Sequence, residues 1–229
     1  MAVLSDRWRC LRPDAFGCGA SPPPPPGLTL DAVAAAVLDE LDARGIDEVA
    51  VVGLSMGGYT AMAMLRQAPQ RVRALVLADT RAAADAEPAR ADRLAMAARV
   101  RAEGVEPIVE TMLLKLLSPR GREEAHVADP VRGRIRRCTP EGVASCQEAM
   151  AARPDSTDVV AAVRAPTLVV CGAEDAANPV EEMRAMAEMV PGSRFAVIEQ
   201  AGHLTNLEQP AEFSALLNDF LAASYPPGG

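Results

Sequence analysis

Glu48-Val49-Ala50-Val51-Val52 runs directly into Gly53-Leu54-Ser55-Met56-Gly57, and Gly58-Tyr59-Thr60-Ala61-Met62-Ala63-Met64-Leu65 follows at once. The first five residues make a short apolar, β-branched run of the kind a parallel sheet buries on both faces. The last eight read as a helix of small residues pressed close to that sheet. A serine on such a strand-to-helix corner occupies a strained backbone position, with its Oγ held out above the sheet. Gly53 and Gly57 are expected to leave room where side chains would strike the neighbouring backbone. The corner also sets the Met56 N–H at a helix N-terminus, where it can donate to a developing oxyanion. A glycine-rich turn without chemistry would need neither the strand before nor the helix after, and both are present. Ser55 is therefore the expected nucleophile.

Outward from this corner, three further buried strands are predicted at residues 74–78, 167–171 and 195–199. Helical patterns alternate with them over 30–43, 57–67, 180–189 and 211–222. Thr29 or Asp31 can cap the first helix, and Pro179 suits the opening turn of the third. Strands alternating with helices make a parallel α/β sheet flanked by helices. Two stretches break the rhythm. Residues 22–26 are five consecutive prolines, an extended surface loop. Residues 80–163 hold helical stretches at 88–103, 105–117, 122–137 and 140–153 and no convincing strand. This is the expected helical cap, inserted into a core of 1–79 and 164–229 over the strand ends where such sheets bind ligands. Its apolar residues Ile108, Met112, Leu113, Leu116 and Leu117 face either a pocket or the cap's own interior, the interior being the favoured reading.

The bulk numbers narrow the function classes. A net charge of −8 argues against nucleic acid or an anionic membrane surface as partner. The basic run Arg132, Arg134, Arg136, Arg137 reads as a solvated helix face. Five cysteines, odd in number and without a C-x-x-C pair, suit a reducing compartment in which most serve as small core residues. No apolar run approaches a membrane span and no signal-peptide h-region is visible, so a cytoplasmic location is expected.

A serine hydroxyl needs a base, and the chain has two histidines. His126 lies in the polar sequence 124–129 of the cap, where a surface side chain is expected. His203 follows the last strand, at the same edge of the sheet as Ser55. The histidine in turn needs a carboxylate on its far nitrogen. Asp175, after the penultimate strand, ranks first. Asp79, closing the strand after the nucleophile helix, ranks second, and Glu174 third. The order Ser55, Asp175, His203 is the one expected for this architecture.

These residues carry a resemblance. The chain resembles the α/β-hydrolase fold family, and within it the 3-oxoadipate enol-lactonase-like esterases and lactonases. The match includes Asp14-Ala15-Phe16-Gly17-Cys18-Gly19-Ala20-Ser21, similar to the family's D-x-x-G-x-G-x-S turn, and the elbow at 53–58. It extends through 71–77, 165–175 and Gly202-His203-Leu204-Thr205-Asn206-Leu207-Glu208-Gln209-Pro210. The resemblance implies hydrolysis of a small ester or lactone, with no metal or cofactor. C–C bond hydrolysis or haloperoxidase-like peroxyacid chemistry by the same triad is the variant reading. It also implies a cation for a substrate carboxylate, for which Arg81 is the candidate. Met112 and Leu116 are the candidate apolar contacts.

One departure bears on activity. The family opens with further strands, and an H-G-x loop after the third supplies a second oxyanion N–H. Here residues 1–11 already resemble the helix end and fourth strand, with Trp8-Arg9-Cys10-Leu11 as the strand, and neither histidine precedes a glycine. The N-terminal strands are thus missing. A late start in a longer natural protein is the favoured explanation. A short, catalytically impaired relative that only binds a small ligand is the other.

Overall fold

The computed structural model describes residues 7–225. Four strands form one wholly parallel sheet in the order β1-β2-β3-β4: β1 Val49–Leu54, β2 Val72–Ala78, β3 Thr167–Gly172 and β4 Arg194–Ile198. The strands predicted at 48–52, 74–78, 167–171 and 195–199 are each present within two residues of their expected bounds. α1 (Leu30–Ala43) is capped by Thr29, whose side chain accepts the Ala32 N–H, whereas Asp31 pairs with Arg66. α2 (Met56–Gln67) joins β1 to β2.

Between β2 and β3 the chain forms only helices: α3 Glu87–Glu103, α4 Val109–Leu116, α5 Pro119–Glu123, α6 Ala125–Arg136, α7 Pro140–Ala151 and α8 Thr157–Ala161. The helix expected over 122–137 is divided at Glu124, whose backbone leaves the helical region with φ −85° and ψ 103°. α9 (Val180–Glu188) joins β3 to β4, and α10 (Thr205–Glu208) and α11 (Pro210–Ser224) complete the chain.

Both faces of the sheet are covered, as a parallel sheet requires. Because side chains alternate along a strand, Leu75, Leu77, Val169 and Cys171 point to one side and Ala74, Val76, Ala78, Leu168 and Val170 to the other. The first side packs on Tyr59 and Met62 of α2 and Met183 and Met186 of α9. The second packs on Phe213, Leu217, Phe220 and Leu221 of α11. Ala149 and Met150 of α7 and Val160 of α8 join the first cluster. The interstrand segment therefore shares part of the main core.

Two expectations are corrected. Residues 8–11 are not a strand: they lack a ladder partner among the described residues, and Arg9, Cys10 and Leu11 are exposed. Trp8 instead lays its ring against the α11 side of the core and donates Nε1–H to the Tyr225 carbonyl at 3.0 Å. The helix end expected before it lies outside the described residues. The second correction concerns cysteine. Cys18 and Cys138 form a disulfide, because the turn at 15–21 meets the chain between α6 and α7 as an antiparallel bridge, with Thr139 N–H donating to the Gly17 carbonyl at 2.8 Å. Of the others, Cys10 is exposed, Cys146 half-buried and Cys171 buried. No helix among the described residues is long and apolar enough to cross a membrane.

Candidate active site

Ser55 stands between the C-terminal end of β1 and the first residue of α2, with φ 53° and ψ −117°. A non-glycine residue at positive φ costs on the order of 1 kcal/mol or more and persists only where its surroundings hold it. Here they do. The Ser55 N–H donates to the Ala78 carbonyl at 2.9 Å, and the Thr80 hydroxyl donates to the Ser55 carbonyl at 2.9 Å. The end of β2 thus props the corner from below. Met56 opens α2, so its N–H points out of the helix end with no carbonyl a turn earlier to receive it.

The glycine requirement falls differently from the sequence expectation. A Cβ on Gly53 would lie 2.5 Å from the Gly57 carbonyl oxygen and 2.7 Å from the Gly58 nitrogen, both immovable backbone. A Cβ on Gly57 would meet nothing within 4 Å, whereas one on Gly58 would run into the Thr80 side chain at 2.5 Å. The close approach on the helix side is therefore made by Gly58, because that residue faces the strand and Gly57 faces away.

His203 and Asp175 come from the loops after β4 and β3, at the same edge of the sheet. The His203 Nε2 lies 2.7 Å from the Ser55 Oγ, and its Nδ1 lies 2.9 Å from the Asp175 Oδ2. An ionised carboxylate only accepts, so Nδ1 carries the hydrogen and Nε2 is left to accept from the serine hydroxyl. Burial pushes the Asp175 carboxyl up. The hydrogen bond and charge of His203, the Ala177 N–H at 2.8 Å and the Asn178 amide at 3.2 Å outweigh that and hold it below the usual carboxylate range.

The other two acid candidates do not touch the histidine ring. Glu174 is exposed. Asp79 is fully buried, and its carboxylate is engaged by the Gly172 N–H at 2.9 Å and the Thr205 hydroxyl at 2.5 Å. Asn178, which the sequence reading passed over, is buried between Asp79 and Asp175 and donates to the Asp79 carbonyl at 3.0 Å and to the Asp175 carboxylate at 3.2 Å. Its amide nitrogen also lies 3.2 Å from His203 Nδ1, a contact between two donors and not a hydrogen bond. The only sequence signal for Asn178 is a polar residue three positions after the acid.

The remaining predicted positions are scattered more widely. Arg81 directs Nε–H to Asn178 Oδ1 at 3.0 Å and further N–H groups to the Ala177 carbonyl, with Glu182 at 3.8 Å. Met112 and Leu116 are half-buried on α4. The Leu116 carbonyl accepts the N–H of Leu204, the residue after the histidine, at 3.1 Å. Glu208 joins the same regions, accepting the Ser118 N–H at 3.0 Å and the Gly202 N–H at 2.9 Å. His126 has a side chain 80% exposed, with its Nε2 3.6 Å from the Glu124 carboxylate. No cluster of three or more His, Cys, Asp or Glu side chains suited to a metal ion occurs among the described residues.

Comparison with known proteins finds similarity over nearly the whole chain. The model of the alpha/beta hydrolase fold family matches residues 1–210. 3-oxoadipate enol-lactonase 2 of Acinetobacter baylyi is 30% identical over 215 residues, covering 93% of this chain and 79% of that protein. A thermophilic esterase from Thermogutta terrifontis superposes with a TM-score of 0.89 at 39% identity, over 93% of this chain and 79% of its own. The enol-lactonase from Burkholderia xenovorans does so with a TM-score of 0.89 at 28% identity, over 96% and 84%.

Proposed function

This chain belongs to the alpha/beta hydrolase fold family, and from that premise we propose that it hydrolyses a carboxylic ester or lactone of a small molecule through an acyl-enzyme on Ser55. The observation that carries the reading is the unbroken relay from the Ser55 Oγ through both nitrogens of His203 to Asp175, with separations of 2.7 and 2.9 Å. Similarity to an esterase and to enol-lactonases supports the substrate class.

In this mechanism Nε2 of His203 takes the hydroxyl proton as Oγ attacks the carbonyl carbon. Asp175, already ionised and acceptor-only, stabilises the imidazolium and keeps the ring in the productive tautomer. The oxyanion receives the Met56 N–H at the positive end of α2, and one such donor is worth roughly 3–4 kcal/mol in the transition state. The imidazolium then returns the proton to the leaving alkoxide. A water, deprotonated by the same nitrogen, releases the acid.

The helical segment 80–163 serves as a cap over the strand ends, supported by its bonds from Leu116 and Ser118 to the histidine loop. Met112 and Leu116 supply apolar contact to the substrate, and Arg81 a cation near its rim. Turnover of p-nitrophenyl acetate by the wild type and by Ser55→Ala tests the proposal. The serine variant should lose about 10⁴-fold or more in kcat and all labelling by a fluorophosphonate probe. Equal turnover by the two proteins would sink it.

A further inference from the structure

Asp79 is the third buried carboxyl-bearing or imidazole group at this edge of the sheet, and the relay does not use it. Several independent features set it apart. Its backbone sits at φ 46°, outside the region a non-glycine residue prefers. Its side chain is fully buried, and every polar group it has is engaged. The N–H donates to the Val170 carbonyl at 3.0 Å, on β3. The carbonyl accepts from Asn178, three residues past Asp175. Oδ1 accepts the Gly172 N–H, at the start of the loop that carries Asp175. Oδ2 accepts the hydroxyl of Thr205, two residues past His203 and itself fully buried. Thr80, the next residue, supports the Ser55 carbonyl.

Resting on the triad reading above, we propose that Asp79 is a positioning residue: its carboxylate ties the acid loop to the histidine loop and so holds Asp175 and His203 in register with Ser55. The bonds converge on one side chain from two loops that are also joined by the Asp175–His203 contact and by backbone bonds from the Glu174 N–H to the Ala201 carbonyl and from the Ala173 N–H to the Ile198 carbonyl, each 2.9 Å; of these, the Asp79 side chain alone reaches past His203 to Thr205. A strained, fully buried carboxyl is expensive to keep, and such outliers persist where function or structure demands them. The charged and titratable groups facing it are His203, which favours its ionised form, Asp175, which opposes it, and the buried Cys171 thiol on β3, pushed up to about 12 by burial and by these carboxylates.

Asp79→Ala removes both tethers. Asp79→Asn keeps an acceptor for Gly172, offers a donor to Thr205 and tolerates positive φ, but removes the charge. With p-nitrophenyl acetate, Asp79→Ala should lower kcat by ~10- to 100-fold with little change in KM, since small displacements of reacting groups cost that much. Asp79→Asn should recover most of kcat at pH 8, with KM unchanged. A loss in kcat alone, restored by the isosteric amide, is not what a general loss of stability produces. If Asp79→Ala fails to fold, Thr205→Val decides: it removes only the bond to the histidine loop and should lower kcat about threefold or more at unchanged KM. The proposal is overturned by a kcat for Asp79→Ala within about twofold of wild type, by Asn as impaired as Ala, or by Thr205→Val indistinguishable from wild type. Ser55→Ala run alongside separates the failures. Loss of activity there, with none in Asp79→Ala, leaves the triad reading intact and removes this one. Full activity in Ser55→Ala removes both.

Discussion

At the scale of single residues, Asp79 sets a cost against a benefit that pH can separate. Burial pushes its carboxyl up to about 7, against 3.8 in the unfolded chain, even though Thr205, Gly172 and His203 pull it back. The folded protein therefore holds this proton over a pH range in which the unfolded chain has released it. Between about pH 4 and 7 the native state binds the extra proton, so this group's contribution to stability falls as pH rises and levels off above pH 7. The loss is on the order of a few kcal/mol. Asp79→Asn cannot ionise and escapes it. The melting temperature of the variant should match the wild type near pH 4 and exceed it increasingly up to pH 8. A gap that shrinks with rising pH would contradict the burial argument. Much at this scale was legible from the chain alone. Ser55, His203 and Asp175 each follow a strand, and the ends of parallel strands fall on one edge. Asn178 and the tethering bonds of Asp79 were not legible, because they depend on loops 79–80, 172–178 and 203–205 meeting in space. The helix-side glycine was misread for a similar reason. Whether Gly57 or Gly58 faces Thr80 is a rotation of one residue about the helix axis, which a G-x-S-x-G spacing does not encode.

At the scale of elements, the six helices between β2 and β3 show why periodicity located them but did not say what their apolar faces touch. Val109, Leu113 and Leu117 repeat at four-residue spacing and form a stripe along α4 and its end. From the sequence, the apolar residues Ile108, Met112, Leu113, Leu116 and Leu117 could line a pocket or the cap's own interior, with the interior favoured. The structure buries the stripe against Val127, Ala128 and Val131 of α6, with Leu204 and Leu207 of the histidine region packed on the same cluster. The basic run on α6 is also explained: Arg132 pairs with Glu110 and Asp129, and Arg136 with Glu106, on an exposed face. Such exposed pairs are screened by water and contribute little to stability. The apolar cluster should therefore dominate the attachment of these helices. Leu113→Ala, at a fully buried position, should cost about 2–5 kcal/mol by denaturant unfolding. Leu114→Ala, whose side chain is exposed at 61%, should cost less than about 0.5 kcal/mol. Equal effects at the two positions would mean that the stripe faces elsewhere.

For the molecule as a whole, the question is what holds the interstrand helices on the sheet, because the proposed site lies where the two meet. Noncovalent ties exist at several points. Arg153, buried on the chain after α7, bonds Asp85 beyond β2 and lies 4.1 Å over the Tyr59 ring of α2, and Arg66 of α2 bonds Ser156. The covalent tie is the Cys18–Cys138 disulfide, between residues 120 positions apart in sequence. Counting cysteines could not reveal it. Five is odd whether or not two are paired, and nothing local in either sequence context signals a partner so distant. The reading of most cysteines as small core residues describes only Cys171 well. A bond closing so long a loop restricts the unfolded chain severely, and such bonds typically contribute about 2–4 kcal/mol. Thiol titration in denaturant without reductant should therefore find three reactive cysteines of the five, Cys10, Cys146 and Cys171, and all five after reduction. Cys138→Ser should melt below the wild type under non-reducing conditions and match it once both are reduced. Five free thiols in protein kept from reductant, with no difference between the two melting curves, would show that the turn and the α6–α7 junction hold together through the backbone bridge alone.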